Sequence, residues 1–144
     1  MRAIILSAGK GSRLSAHTFD KPKGMIKFAG KTLLEHQIDV LQSNGVSDIV
    51  IIRGYKAHKI NFENITYFDN VNFENTNMVE SLLCAEDKLN VECLVTYSDL
   101  ILEDAVINKM VKSEYDIGVL VDENFEDYWK ARLGEKYSED MESL

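Results

Sequence analysis

The residues best suited to chemistry stand near the start of the chain. Leu6-Ser7-Ala8-Gly9-Lys10-Gly11-Ser12-Arg13-Leu14 comes straight after the apolar run Ala3-Ile4-Ile5-Leu6, and Lys21-Pro22-Lys23 follows shortly behind. A buried strand opening into a glycine-rich, basic loop is built to hold phosphates. Gly9 and Gly11 lack a Cβ and can take positive φ, so that backbone N–H groups from Ala8 to Ser12 can converge on one anion. Ser12 adds a hydroxyl donor, and Arg13 adds a planar fork of donors that matches phosphate oxygens. Pro22 fixes its own φ and keeps the residue before it extended, which puts Lys21 and Lys23 on a stiff segment.

Two other phosphate loops fail on spacing. A Walker loop needs four residues between its glycines and then Gly-Lys-Ser/Thr, whereas only Lys10 separates Gly9 from Gly11. A dinucleotide fingerprint needs a third small residue where Leu14 stands, so a Rossmann oxidoreductase matches only in part. A surface glycine turn with scattered basic residues is the plain alternative. Gly-x-Gly-Ser-Arg followed by Lys-Pro-Lys resembles the nucleotidylyltransferases that activate sugar 1-phosphates and phosphocholine, whose signature is Ala-Gly-x-Gly-Thr/Ser-Arg with a downstream Lys-Pro-Lys.

Three later features carry possible chemistry. Thr96-Tyr97-Ser98-Asp99 puts a carboxylate at the exit of an apolar strand, on the rim that the phosphate loop shares. A carboxylate there suits Mg²⁺ that also binds a nucleotide's phosphates, and it equally suits a cap on the next turn. Asn75-Thr76-Asn77-Met78-Val79-Glu80-Ser81 reads locally as a helix start. Asp122, Tyr128, Trp129 and Arg132 read either as a stripe of core aromatics with flanking charges or as an acceptor pocket, with Arg132 on a phosphate beside an aromatic wall.

The resemblance runs from Met1 to about Arg132 and is nearest the phosphocholine and phosphoglutamine cytidylyltransferase branch. It implies transfer of a nucleotidyl group, CMP from CTP, to a phosphorylated small molecule such as phosphocholine, a phosphonate or phosphoglutamine, with release of pyrophosphate and use in surface polysaccharide or lipid decoration. It assigns Arg13 to the leaving pyrophosphate and Lys23 to the α-phosphate and attacking oxygen. Ala8, Gly9, Gly11 and Ser12 surround the nucleotide, Asn77 and Ser81 belong to the segment over the base and ribose, and Asp99 holds Mg²⁺. Tyr97 stands where members often have a first acid. The family's second metal-binding aspartate comes from a later strand, so the expectation is a truncated chain; the alternatives are that Glu103, Asp104 or Asp122 serves instead, or that the site is incomplete. Alternatives in other classes are a sugar-1-phosphate nucleotidylyltransferase and a nucleotide-binding fragment without catalysis.

The elements that must position these residues alternate. Strands are expected at Arg2 to Ser7, Ile49 to Ile52, Ile65 to Phe68, Cys93 to Tyr97 and Ile117 to Val121, with a short extended piece from Met25 to Phe28. Helices are expected from Thr32 to Asn44, from Asn77 to about Lys88, from Val106 to Val111 and around Phe125 to Leu133; Thr32/Glu35 and Asn77/Glu80 have capping-box spacing. Strict alternation predicts an α/β, Rossmann-like, doubly wound and mainly parallel sheet, which the resemblance specifies as the nucleotide-diphospho-sugar transferase type. Ligands on such sheets bind at the carboxyl ends of the strands, where the glycine loop, Gly54 and Asp99 fall. A truncated sheet would leave an unpaired edge and invite homo-oligomerisation.

The chain has 144 residues, 45% of them hydrophobic, enough for one ordinary core and hence one domain over residues 1 to 144. Its net charge of −8 argues against nucleic-acid binding. The first 31 residues nevertheless hold seven of the 16 basic side chains and one of the 24 acidic ones. One cationic mouth on an acidic body draws in a small polyanion. Cys84 and Cys93 have no metal-ligand spacing and read as reduced core residues, and no run approaches a membrane span, so a cytoplasmic location is expected.

Overall fold

In a computed structural model the described residues are 1 to 134, without the side chains of Arg13, Ser15, Ala16 and Arg132. They fall into two compact units that divide between Lys112 and Ser113.

The first unit is built on six strands: β1 (Arg2–Ser7), β2 (Lys27–Phe28), β3 (Lys31–Thr32), β4 (Asp48–Arg53), β5 (Thr66–Asp69) and β6 (Cys93–Tyr97). Its helices are α1 (Ser15–Thr18), α2 (Leu33–Ser43), α3 (Met78–Leu83) and α4 (Asp104–Val111). Four strands form a parallel sheet in the order β5-β4-β1-β6, while β2 and β3 make a separate antiparallel hairpin. The fold is thus the expected α/β, mainly parallel arrangement.

Both faces of the sheet are covered, which is why β1 and β4 read as nearly continuous apolar runs. Ala3, Ile5, Ile49 and Ile51 point to one face and pack with Leu34, Ile38 and Leu41 of α2 and Ile107 of α4. Ile4, Val50 and Ile52 point to the other, in a cluster with Ala85 and partly buried Leu82, Cys84 and Cys93. The two cysteines are free thiols and only half-buried, at the margin of a core rather than inside it. Burial pushes the Cys93 thiol up.

The helix starts follow local chemistry. Thr32 caps α2 by accepting from Glu35 N, and Glu35 returns a bond to Thr32 N. Asn77 and Glu80 do the same for α3. This second helix stops at Leu83 instead of reaching Lys88, because buried Ala85 leaves helical dihedrals and a separate 3₁₀ turn covers Glu86–Lys88.

The second unit contains α5 (Phe125–Leu133). The strand expected at Ile117 to Val121 does not form; Ile117 is 89% and Val119 65% exposed. Apolar and β-branched residues supply propensity, but a strand exists by pairing, and this stretch has no ladder partner among the described residues. No helix among those residues is long and apolar enough to cross a membrane.

Candidate functional site

The strand order creates the site. The chain runs from β1 outward through β4 to β5, then returns to place β6 on the other side of β1. Strand order therefore reverses at β1, and the loops leaving β1 and β6 bound a crevice at the carboxyl edge. Register aligns them: Leu6 pairs with Tyr97, and Ser98 N donates to Leu6 O at 3.0 Å.

The glycine loop leaves β1 under tight restraint on one side and freedom on the other. Gly11 has φ of 64°, and a Cβ there would meet Lys23 Cβ at 3.3 Å and Thr18 Cγ2 at 3.4 Å. The buried Thr18 hydroxyl donates to Gly11 O and Leu14 O, both at 3.1 Å, which pins the turn from within. Gly9 does not take a positive φ, and a Cβ there would touch nothing within 4 Å, so its outer side is open to a ligand.

Lys23 and Asp99 meet. Separated by 75 intervening residues, they form an ion pair on the rim, each side chain about one third exposed at 34% and 32%. Gly24 makes this possible. A Cβ on it would lie 2.9 Å from Leu34 Cγ and 3.0 Å from Ser98 Cβ, so the absence of a side chain lets the Lys23 turn lie against both α2 and the Asp99 segment. Sequence reasoning passed over Gly24; its only signal was its place directly after Lys-Pro-Lys.

Gly54, expected on this edge, is a second support through a close approach that the sequence did not reveal. Gly54 follows β4 so closely against the loop that a Cβ would sit 2.6 Å from Ala8 O and 2.8 Å from Phe73 Cβ. Tyr55 then donates from its backbone to Ala8 O at 2.9 Å and from its hydroxyl to Phe19 O at 2.8 Å. It ties the start of the glycine loop to the segment entering Lys21-Pro22-Lys23. Lys10 and Lys56 have their ammonium groups 5.9 and 5.6 Å from the Tyr55 ring centre, keeping positive charge on this side.

Other expected residues are placed differently. Ser12 begins a 3₁₀ turn over Ser12–Leu14 and is exposed, and the Arg13 side chain lies outside the described part. Asn77 spends its side-chain Oδ1 on the α3 cap, accepting from Val79 N at 2.9 Å and Glu80 N at 3.1 Å. Ser81 is buried; its Oγ donates to Asn77 O and accepts from Asn70 Nδ2, both at 3.0 Å. Their assignment to the nucleotide therefore concerns an already ordered segment. In the second unit, Asp122 accepts from Asn124 N at 2.9 Å, and Tyr128 and Trp129 pack edge to face with ring centres 6.0 Å apart. Phe125, Trp129 and Leu133 are half-buried and recur every fourth residue, the spacing of a packing stripe. The Arg132 side chain lies outside the described part.

No cluster of three or more potential metal ligands occurs among the described residues. The single rim carboxylate of Asp99 fits the donor chemistry of Mg²⁺, which is commonly held by one or two carboxylates together with phosphates and water.

Comparison with known proteins gives the family and the fold. The family model of the MobA-like NTP transferase domain matches residues 3–131. The CTP:phosphoglutamine cytidylyltransferase of Campylobacter jejuni is 29% identical, over 100% of this chain and 61% of its own length. The bifunctional protein GlmU of Methanocaldococcus jannaschii is 38% identical over 86% of this chain and 34% of its own. Among solved structures, the CTP:phosphocholine cytidylyltransferase from Streptococcus pneumoniae superposes with a TM-score of 0.60 at 31% identity, covering 68% of this chain and 44% of that one. The chain thus spans about one third and about three fifths of the length of these two curated relatives.

Proposed function

The chain belongs to the MobA-like NTP transferase family, and from that premise we propose that it is the nucleotide-binding part of an enzyme that transfers CMP from CTP to a phosphorylated small molecule. The observation that carries this reading is the meeting of Lys23 with Asp99 beside the glycine loop. One cation and one carboxylate stand together where triphosphate and acceptor would have to meet.

The reaction needs little covalent help. An oxygen of the acceptor phosphate attacks the α-phosphorus in line; the bond from that phosphorus to the bridging oxygen breaks, and pyrophosphate leaves with the electron pair. Positioning and charge neutralisation are what a protein adds. The backbone from Ala8 to Ser12 cradles the phosphates. Lys23 neutralises the α-phosphate and the incoming oxygen, and Arg13 the leaving pyrophosphate. Asp99 would hold Mg²⁺, which when bound neutralises phosphate charge. Because Lys23 and Asp99 pair with each other, nucleotide binding exchanges that one ion pair for two new contacts.

The names of relatives support CTP and a non-sugar acceptor: phosphoglutamine and choline phosphate appear among them, although UTP and glucose 1-phosphate do as well. Asp122, Trp129 and Arg132 are proposed for the acceptor, because an acid and a ring suit a cationic or amide-bearing tail and a guanidinium suits its phosphate.

Titration of the full-length protein with CTP, UTP, dTTP, ATP and NAD in the presence of Mg²⁺ tests the reading. Tightest binding of CTP supports it. Preference for NAD defeats it in favour of an oxidoreductase, and CTP binding without pyrophosphate release in the presence of any acceptor indicates a binding module.

A further inference from the structure

A polar residue sits where the core would ordinarily be apolar. Gln37 is on α2 between Leu34, Ile38 and Leu41 and is 0% exposed. Its Nε2 donates to Tyr97 O and to Leu100 O, each at 2.7 Å. Those two carbonyls bracket Ser98 and Asp99. The orientation of the amide is forced by its surroundings, since turning it over would aim Oε1 at two carbonyl oxygens. Oε1 itself is buried with no partner among the described residues. Burying an amide is unfavourable except for what its hydrogen bonds hold, and here both N–H groups go to one turn.

We infer that Gln37 is a positioning residue: by clamping the carbonyls on either side of Ser98 and Asp99, it fixes the Asp99 carboxylate opposite Lys23 and the glycine loop. This deepens the reading of the reaction given above and rests on it. The logic is geometric. Asp99 follows the last paired residue of β6 by two positions, outside the ladder, and only Ser98 N still bonds to β1. Without the clamp the turn is free to move the carboxylate away from the rim, while β6 and the glycine loop keep their own hydrogen bonds. Gln37 is fully buried and bonds to the turn itself, so its effect passes through Asp99.

Gln37→Leu keeps the volume and removes both donors; Ile38→Val, one residue along the same helix, removes a core methylene without touching the turn. In the full-length protein, pyrophosphate release and amide hydrogen exchange over residues 98–102 separate the roles. The expected result for Gln37→Leu is a fall in kcat of about tenfold or more, with KM for the nucleotide within about twofold of wild type, and exchange at 98–102 faster by a similar factor. Ile38→Val should match wild type in all three. If Gln37→Leu does not fold, Gln37→Asn, which keeps the amide but is too short to reach both carbonyls, is measured instead. Turnover and exchange indistinguishable from Ile38→Val, or a loosened turn with unchanged kcat, overturn the inference. A wild-type protein that releases no pyrophosphate overturns the reaction reading separately, and the exchange comparison then decides the clamp alone.

Discussion

At the scale of single residues, Lys23 and Asp99 show how little an ion pair need do for stability when it has another use. Each is about one third exposed, so water screens the pair, and its contribution to folding lies within about 1 kcal/mol. Asp99→Asn should therefore leave the thermal transition nearly in place while lowering pyrophosphate release about a hundredfold or more. Denaturation and turnover measured on one preparation check this; loss of both together would make Asp99 a structural residue. Gly24 behaves in the opposite way. A methyl group there meets Leu34 and Ser98 at 3.0 Å or less, and Gly24→Ala should cost about 1 to 3 kcal/mol through overpacking and push Lys23 off Asp99. Chemical denaturation reads the first effect, and a fall in turnover of the remaining folded protein reads the second.

Among the elements, what was legible in the sequence was local. Both capping boxes form as their three-residue spacing indicated, and β1, β4 and β6 occupy their apolar runs. What was hidden depends on partners distant in the chain. The Lys23–Asp99 meeting follows from β6 lying beside β1, which periodicity cannot reveal; Gly24 and Gly54 act by close packing, and Tyr55 and Gln37 by bonds to backbone atoms 36 to 63 residues away. The stretch from Ile117 to Val121 misled in the reverse sense, because β-propensity was present without a ladder to join. The α2 cap also carries a pH signature. Bonds from Thr32 N and the Thr32 hydroxyl hold the Glu35 carboxyl below its ordinary value. A group whose folded pKa is depressed contributes stability above its unfolded pKa and loses it as pH falls through the folded one. Thermal stability of wild type should therefore drop more steeply than that of Glu35→Ala as pH is lowered from about 5 to about 3. Parallel melting curves across that range would remove the cap from the acid response.

For the whole molecule, charge and topology agree on one place. The first 31 residues concentrate positive charge on an otherwise acidic chain, and the fold gathers Lys10, Lys23 and the glycine loop at the strand-order reversal. A small polyanion is steered to that edge, whereas an extended one meets repulsion elsewhere. Asp122, Trp129 and Arg132, proposed for the acceptor, belong to the second unit, and the matched relatives are longer than this chain. Pyrophosphate release by the full-length protein is the most direct measurement, with CTP and Mg²⁺ presented in turn with phosphocholine, an aminoalkylphosphonate, phosphoglutamine and glucose 1-phosphate. The predicted result is release with CTP and one of the three non-sugar acceptors, abolished by Asp99→Asn and reduced by Arg13→Ala. Undiminished release by both variants, or no release from wild type with any acceptor, would contradict nucleotidyl transfer at the Lys23–Asp99 rim.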